Sequence, residues 1–477
     1  MVFLNRQNEL DTLESLYKSP RGEMVALYGR RRVGKTSLLR EFVRDKPHIF
    51  FTADANIERE QVRAFARLVE GFMPEEGPLG RFETWPDVLR FLIPRLQAMG
   101  EKIVVALDEF PEITVQNPTV PSVLRAIWDA KEQGAEVMLL LCGSIVGEMR
   151  RLQMGEEPLY GRFTGRINLR PFDFPEMSLF FPARNFNERI ETYAVLGGMP
   201  MYLSIGSESP NIWRTVEDQI LNPTRILYEE VPYILGQELR EPALYMAILA
   251  CIARGPTRPA KIAAHTGIKP DTVSAYLYRL ERMDIVRRDF PVTDKSPEKS
   301  RKVSYSIKDN FIRFWLRYVY PYKYLVESGD TDSLLSVIRR DFEGYLGIVA
   351  EEIVREAVRI ANREDEFQVR FMRIGRYWDK AREIDICGVS EDGSAFLWGE
   401  CRWRRTKMSA EDLKQLRDKV VASGVGRGSN STFMLCSKSG FTKDLKRKAE
   451  DEGVILWDAE KLDKLSGQPG MGSAPLA

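Results

Sequence analysis

The stretch MVALYGRRRVGKTSLLREF, residues 24–42, joins an apolar run, a glycine-containing basic turn and a second apolar pattern. MVALY has the composition of a short, buried parallel strand. SLLREFV places its apolar residues at helical spacing. Between them, Gly29 to Thr36 fits the pattern G-x-x-x-x-G-K-S/T at every specified position. The stretch therefore predicts a strand–loop–helix unit within an α/β fold.

The loop of this unit has the properties of a phosphate-binding site. Glycines let backbone amides point inward, and the helix that follows presents its positive N-terminus to an anion. We expect Lys35 to reach the β- and γ-phosphates of ATP, and the Thr36 hydroxyl to bind Mg²⁺. A basic surface turn is the alternative, which the flanking strand and helix disfavour. The residues predicted to contact the nucleotide are Gly29, Arg32, Val33, Gly34, Lys35, Thr36, Ser37 and Ser144.

Two acidic residues end a second predicted strand. KIVVALDEF, residues 102–110, is a β-branched apolar run that closes on Asp108 and Glu109. An open α/β sheet binds its ligand at the ends of its strands. We expect Asp108 to support the Mg²⁺ shell and Glu109 to orient or deprotonate the attacking water. This pair predicts hydrolysis of ATP rather than transfer of a phosphoryl group to a small substrate.

Two later segments supply further residues that could contact the γ-phosphate. EVMLLLCGS, residues 136–144, reads as a buried strand that ends in Ser144, whose hydroxyl would bind the γ-phosphate or the water. A simple turn is the alternative for Ser144. LYGRFTGRINLRPF, residues 159–172, offers Arg162 and Arg166. An arginine near the γ-phosphate stabilises charge in the transition state, and we favour Arg162, although either arginine fits a solvated loop.

Amino-acid composition limits the number of domains, the kinds of catalytic site and the cellular location that we expect for this protein. A chain of 477 residues is too long for one core, so we expect two to four domains. The 70 basic and 69 acidic residues nearly cancel, so any attraction to phosphate must be local. Two histidines disfavour Ser-His-Asp and histidine–metal catalysis. Five scattered cysteines, and the absence of the roughly 18 apolar residues that cross a bilayer, predict a cytoplasmic protein without membrane contact.

Residues 243–290 have the rhythm of a helix-turn-helix. One apolar helix ends at Gly255, a second begins near Thr257, and Asp271 or Thr272 caps a third. The alternating segment that follows predicts a hairpin, which makes the unit a winged helix. Before it, residues 173–240 read as a helical lid rich in aromatic residues and proline.

The winged-helix region is locally basic. Residues 244–302 hold twelve Lys or Arg against six Asp or Glu, a local net charge of +6. This excess favours contact with double-stranded DNA. The alternative is that the winged helix packs against its own ATPase domain or a partner protein. The residues predicted to meet the major groove or its phosphates are Lys269, Thr272, Ser274 and Arg279.

Several motifs together resemble the archaeal P-loop ATPases of the AAA+/STAND type. They are FLNRQNELDTLESL, YGRRRVGKTSLLREF, LDEF, LYGRFTGRINLRPF and LGGMPMYL. The resemblance covers nearly the whole chain. It implies an ATPase module, a winged helix and a C-terminal domain of nuclease-like ancestry. It also implies that the segment around Asn5, Arg6 and Glu9 flanks the adenine.

The C-terminal part resembles the PD-(D/E)xK nuclease core. Glu351 lies on an amphipathic helix, and Asp385 and Glu400 lie on apolar strands. The resemblance implies that these three carboxylates form a Mg²⁺ shell. The family's lysine position is Arg402, which cannot exchange a proton near neutral pH but can clamp a phosphate. Lys407 or Lys414 would have to replace that lysine, so cleavage stays open.

These expectations combine into one architecture. The predicted divisions are an ATPase core (1–172), a helical lid (173–240), a winged helix (241–310), a connecting helical segment (311–340), a nuclease-like domain (341–465) and a disordered tail (466–477). The predicted function is Mg²⁺-dependent ATP hydrolysis coupled to DNA engagement, with cleavage or processing as a further possibility. The alternative is an ATP-dependent signalling switch that binds a protein partner and carries an inactive nuclease-like domain.

Overall fold

A five-stranded sheet organises the N-terminal part of the chain. The computed structural model describes residues 3–76, 82–130, 137–239, 241–296, 300 and 302–466. The sheet consists of β1 (Glu23–Tyr28), β2 (His48–Thr52), β3 (Ile103–Asp108), β4 (Val137–Gly143) and β5 (Gly165–Asn168). Its strand order is β2-β3-β4-β1-β5, and every pairing is parallel. The carboxyl ends of the strands therefore meet at one edge.

Helices connect these strands. They are α1 (Gln7–Tyr17), α2 (Lys35–Val43), α3 (Glu58–Phe72), α4 (Trp85–Gln97), α5 (Phe110–Gln116), α6 (Val120–Asp129) and α7 (Val146–Arg151), with a 3₁₀ turn at Pro74–Glu76. The predicted strand–loop–helix unit is confirmed as β1 and α2, and the strand before Asp108 is confirmed as β3. The prediction missed β5, since GRIN carries no apolar run.

The chain divides into two compact units, Met1–Pro171 with Arg282–Asp284 and Phe172–Glu281 with Ile285–Ala477. Every residue of β3 and β4 in the first unit is buried, which is why both read as continuous apolar runs. Beside the sheet, the rings of Phe51, Phe65 and Trp85 pack with centroids 5.1–5.5 Å apart. Burial of these large rings stabilises the core from which the strand ends project.

The second unit begins with helices, as predicted for residues 173–240. They are α8 (Phe174–Ser178), α9 (Phe186–Leu196), α10 (Pro200–Ser207), α11 (Ile212–Thr215), which continues as a π-helical turn to Ile220, and α12 (Ile226–Glu238). Tyr202 and Leu196 are fully buried. Tyr202 therefore belongs to a core, whereas Tyr233 of the same segment is exposed.

Three helices and a hairpin follow. They are α13 (Pro242–Ala253), α14 (Pro259–Thr266), α15 (Pro270–Arg282), β6 (Val286–Asp289) and β7 (Ser304–Ile307). Gly267 ends α14 with φ of 71°, which glycine adopts at little cost. The predicted cap of the third helix is wrong, because α15 already begins at Pro270 and Asp271 and Thr272 lie in its first turn. The strands pair antiparallel, as predicted.

An aromatic helical segment connects the hairpin to a long helix. It consists of α16 (Asn310–Phe314), a π-helical turn (Trp315–Val319), a 3₁₀ turn (Tyr320–Tyr322) and α17 (Lys323–Glu327). Phe314 and Trp315 are fully buried, so neither ring is available for base stacking. The helix α18 (Thr331–Arg363) then runs without a break across residue 341. The predicted division at 340/341 therefore falls inside a helix.

A second five-stranded sheet closes the chain. Its elements are β8 (Arg373–Trp378), β9 (Glu383–Val389), β10 (Ala395–Arg402), α19 (Ala410–Ser423), β11 (Asn430–Ser437), α20 (Lys443–Glu452), β12 (Ile455–Asp458) and α21 (Ala459–Ser466). The order is β12-β11-β10-β9-β8, with parallel pairs from β10 to β12 and antiparallel pairs from β8 to β10. The predicted two-strand pair is thus a three-strand meander. Ser466 belongs to α21, and residues 467–477 of the predicted tail lie outside the described residues.

Two further observations concern the cysteine side chains and the apolar character of the helices. All five cysteines are buried and free. In the part of the chain that the structure describes, no helix combines the length and apolar character needed to cross a bilayer.

Gly198 in the LGGMPMYL motif provides a stability test. A Cβ atom built at Gly198 would lie 1.8 Å from the carbonyl oxygen of Phe172, whose amide donates to the Gly198 carbonyl at 2.8 Å. Because backbone cannot yield as a side chain does, we expect Gly198→Ala to lower the free energy of unfolding by roughly 1–3 kcal/mol or more. Urea unfolding measures it. Gly344→Ala is the control, since a Cβ there meets nothing within 4 Å, and equal losses would contradict the prediction.

Candidate functional site

The loop between β1 and α2 depends on backbone freedom at two glycines. Gly34 precedes α2 with φ of 93°, a conformation that side chains with a Cβ rarely adopt. A Cβ at Gly29 would lie 2.2 Å from the carbonyl oxygen of Leu169. Arg32 also has positive φ, at 72°. The loop thus makes a sharp turn directly before the N-terminus of α2, which presents an electropositive end to an anion.

Lys35 is held inside this loop. Its Nζ donates to the carbonyl oxygens of Gly29 at 2.9 Å and Arg30 at 3.2 Å, and the residue is buried. Burial lowers the pKa of Lys35, while the negative charges of Glu109 and Asp108 oppose that shift. The ammonium group therefore lies at the loop, close to the two acidic residues that the sequence singled out.

The ends of β3 and β4 complete the site. Thr36 Oγ1 donates to Asp108 Oδ2 at 2.7 Å. Glu109 adopts the left-handed conformation, with φ of 53° and ψ of 44°. Its Oε2 accepts hydrogen bonds from the Ser144 amide at 3.1 Å and the Ser144 hydroxyl at 2.8 Å. Parallel strand order thus brings to one edge residues that lie more than a hundred positions apart in sequence, from Thr36 to Ser144.

The donor set at this edge suits Mg²⁺. A hydroxyl and a carboxylate in direct contact are both hard oxygen donors, and Mg²⁺ is commonly bound by one or two carboxylates together with substrate phosphates. Thr36 and Asp108 thus supply the protein's share of such a shell. The residues present therefore fit the metal that the loop motif implies.

The N-terminal segment contacts the same loop. Asn5 and Arg6 both have positive φ, and Arg6 is 6% exposed. The Arg6 guanidinium donates to the carbonyl oxygens of Val33 at 3.4 Å and Arg170 at 2.7 Å, and it pairs with Glu9 at 3.3 Å. The three residues that the family resemblance connects with adenine are thus next to the loop, and their contact with adenine stays a prediction.

Arg162 is engaged elsewhere on the same unit. Its guanidinium donates to both carboxylate oxygens of Asp129, at 3.1 and 2.9 Å. Arg166 is exposed and lies on β5, the edge strand next to β1. A role for Arg162 in the transition state would require this ion pair to open, and the role stays a prediction. The contact with Asp129 had no signal in the sequence.

Comparison with known proteins identifies the family. The uncharacterized protein MJECL04 of Methanocaldococcus jannaschii is 30% identical over 416 residues, which cover 87% of this chain and 90% of that protein. The chain belongs to the family of this archaeal protein. Residues 3–204 match a model described as "ATPase domain predominantly from Archaea". Residues 315–415 match one described as "Archaea bacterial proteins of unknown function". The chain is an ATPase.

Solved structures show more distant likeness. The Walker-type ATPase of Pyrococcus abyssi gives a TM-score of 0.48 at 22% identity, covering 66% of this chain and 96% of that one. The ORC2 protein of Aeropyrum pernix gives 0.41 at 15% identity, covering 70% and 95%. Neither similarity assigns a role to a residue of this ATPase.

The second unit presents part of α15 to solvent. Lys269, Ser274 and Arg279 are exposed, whereas Thr272 is only half-buried. Ser274 donates its hydroxyl to the Pro270 carbonyl at 3.0 Å, and Arg279 reaches the Tyr245 hydroxyl at 3.4 Å. Three of the four predicted DNA-contacting residues are therefore accessible, and the contact itself stays a prediction.

The predicted nuclease carboxylates are electrostatic neighbours in the same unit. Burial, with the added charge of Asp385, raises the pKa of Glu351 to about 8 and that of Glu400 to about 7. Burial also raises the pKa of Asp385. Arg355 pairs with Glu351 and donates to the Asp385 carbonyl at 2.9 Å, and the amide of Cys401, next to Glu400, donates to the Asp385 carboxylate, so these contacts connect α18, β9 and β10.

The metal shell that the resemblance implies for these carboxylates stays a prediction. Within the described residues, no group of three or more His, Cys, Asp or Glu side chains is placed to hold a metal ion. Each of the three carboxylates has a protein partner. Asp385 accepts the Cys401 amide at 3.0 Å, Glu351 pairs with Arg355 at 3.6 Å, and Glu400 pairs with Lys419 at 2.6 Å.

Arg402 and Lys419 differ from the sequence expectation. Arg402 pairs with Asp412 at 2.7 Å and donates to Gln415 at 3.2 Å, so its guanidinium is engaged within the domain. Lys407 and Lys414 are exposed. The lysine that donates a hydrogen bond to Glu400 is instead Lys419 of α19. Nothing in the sequence indicated Lys419, because its approach to β10 depends on how α19 lies on the sheet.

Proposed function

We propose that this ATPase hydrolyses Mg-ATP at the loop after β1 and couples hydrolysis to the binding of double-stranded DNA by its second unit. The observation that carries the first part is the 2.7 Å hydrogen bond between Thr36 and Asp108, with Glu109 next in the chain. Lysine, hydroxyl and carboxylates at one strand edge are the groups that phosphoryl transfer to water requires.

Each group has a distinct role in this proposal. Lys35 binds the β- and γ-phosphates, and Thr36 and Asp108 hold Mg²⁺. Glu109 accepts a proton from the water whose oxygen attacks the γ-phosphorus, as the bond to the β–γ bridging oxygen breaks and ADP leaves. Bound Mg²⁺ neutralises negative charge on the phosphate oxygens. Ser144 orients the Glu109 carboxylate through its two hydrogen bonds.

The proposed DNA-binding element is the winged helix formed by α13, α14, α15, β6 and β7. Support comes from the local charge of +6 over residues 244–302 and from the exposure of Lys269 and Arg279. Exposed cationic side chains of this kind neutralise backbone phosphates and make binding depend steeply on salt. The remaining proposed divisions are the helical lid before it and the nuclease-like domain after α18.

ATP turnover with and without duplex DNA, at two salt concentrations, tests the coupling. We expect DNA to stimulate turnover, and the stimulation to fade as salt rises. In Lys269→Ala/Arg279→Ala, loss of two phosphate contacts would make the slope of log K against log salt shallower by about 1.8. The charge-matched control is Lys446→Ala/Arg447→Ala on α20, where both residues are exposed. Turnover that ignores DNA at low salt would overturn the proposal.

A second function is favoured by the engaged state of the nuclease-like residues. Arg402 is paired with Asp412, and each of the three carboxylates has a protein partner. A signalling switch that binds a protein partner and carries an inactive nuclease-like domain fits these contacts. DNA-independent turnover that responds to a purified partner protein would support this alternative. For either function we propose a cytoplasmic location, which the free thiols of all five cysteines support.

A further inference from the structure

The hairpin of the proposed winged helix is joined to the C-terminal sheet of the same unit. The Val292 amide, just beyond β6, donates to the Arg376 carbonyl on β8 at 2.9 Å. Arg373 donates to the Asp294 carbonyl at 2.9 Å, and Arg376 lies 3.5 Å from Asp289 of β6. The chain around Val292 and Asp294 therefore covers part of β8. This strand lies at the edge of its sheet, where backbone N–H and C=O groups lack a neighbouring strand to pair with.

A cavity of about 250 Å³ opens beside this junction. Three elements line it: the start of α14, the strand β7 and the turn between β8 and β9. Its charged lining residues are Arg258, Arg376, Asp379, Lys380, Arg382 and Glu383. Four cationic groups against two carboxylates give the cavity a net positive charge, which suits a small anion.

Two of these four cationic side chains, Arg258 and Lys380, form no ion pair with either carboxylate of the cavity lining, whereas the other two do. Arg382 pairs with Asp379 at 2.9 Å, and Arg376 pairs with Glu383 at 3.1 Å. Arg258 is exposed and donates to the Asp379 backbone carbonyl at 3.3 Å. Lys380 is exposed and has no ion-pair partner among the residues that the structure describes. The carboxylates are therefore matched by two arginines, which leaves Arg258 and Lys380 available to an outside anion.

We infer that this cavity binds a backbone phosphate of double-stranded DNA, an inference that rests on the proposed DNA binding. A guanidinium and an ammonium converging on one cavity provide charge-assisted donors for phosphate oxygens. Backbone contacts of this kind position a protein on the duplex and carry no sequence information. The cavity adds a second cationic contact to that of α15, at the place where the hairpin is already tied to β8. A free phosphorylated small molecule would offer the same phosphate chemistry.

The test uses the full chain with Arg258→Ala/Lys380→Ala. We expect weaker binding to two duplexes of unrelated sequence by the same factor, and a slope of log K against log salt shallower by about 0.9 to 1.8. Basal ATP turnover and the unfolding midpoint should not change. The control is again Lys446→Ala/Arg447→Ala, which should retain the wild-type slope.

The outcomes separate the two proposals. If wild type binds no duplex at low salt, both the proposed DNA binding and this inference fail. If wild type binds and the cavity variant keeps the control's slope, only the cavity inference fails. Calorimetric titration with inorganic pyrophosphate tests the other source. Loss in the variant of one saturable pyrophosphate site, apart from the one at the loop after β1, with DNA affinity unchanged, would assign the cavity to a free phosphorylated molecule and overturn the inference.

Discussion

Glu109→Gln is expected to lower ATP turnover by roughly 10²–10⁴-fold while nucleotide binding is retained. The glutamine amide has nearly the shape of the carboxylate but cannot accept a proton from water. Glu109 is the first residue after β3, and its carboxylate is directed by two hydrogen bonds from Ser144. The change therefore removes proton acceptance and leaves Lys35, Thr36 and Asp108 in place.

Two measurements distinguish this expectation from general damage. Release of phosphate reports turnover, and binding of a fluorescent ATP analogue reports affinity, which should change little. Glu112→Gln is the matched control, because it makes the same chemical change one turn further along α5. Turnover of Glu109→Gln close to that of Glu112→Gln would show that another group accepts the proton, and the proposed role of Glu109 would have to be abandoned.

Glu352→Gln is expected to lower the free energy of unfolding of the second unit by roughly 3–5 kcal/mol. Glu352 of α18 accepts two hydrogen bonds from Arg313, at 3.0 and 3.3 Å, and lies 3.7 Å from Arg287. Burial by itself would raise the pKa of Glu352, but the guanidinium groups of Arg313 and Arg287 outweigh it and lower the pKa to about 2. Arg313 is only 6% exposed, so loss of the carboxylate charge leaves a buried cation uncompensated.

Urea unfolding of the full chain measures this effect. At a typical slope of about 1–3 kcal/mol per molar urea, the midpoint of the affected transition should fall by roughly 1 M or more. Glu356→Gln is the matched control on the same helix. Glu356 pairs with Arg359 at 2.8 Å, and the two side chains are 34% and 39% exposed, respectively. Such a pair contributes about 0–1 kcal/mol. Similar losses in the two variants would contradict a structural role for the buried pair.

The nucleotide edge was largely predictable from local patterns. The loop motif, a following helix and an acidic strand end are each encoded within about ten residues, and parallel strands place their ends together. The sequence therefore predicts one site for Lys35, Thr36, Asp108, Glu109 and Ser144, and their side chains do meet there. Local patterns also predict the helices and the hairpin between residues 242 and 307, apart from the residue at which α15 begins.

The sequence by itself determined the strand–loop–helix unit and the identity of the groups at its edge, because turn chemistry and apolar periodicity act over a few residues. Only the tertiary structure decided that Arg162 pairs with Asp129, that Lys419 rather than Lys407 or Lys414 reaches Glu400, and that Glu351 and Asp385 have protein partners. Apart from the Glu351–Arg355 pair within α18, these contacts join residues on different parts of the chain. Their meeting depends on how helices lie against the sheets, and that register is set by packing of the whole unit.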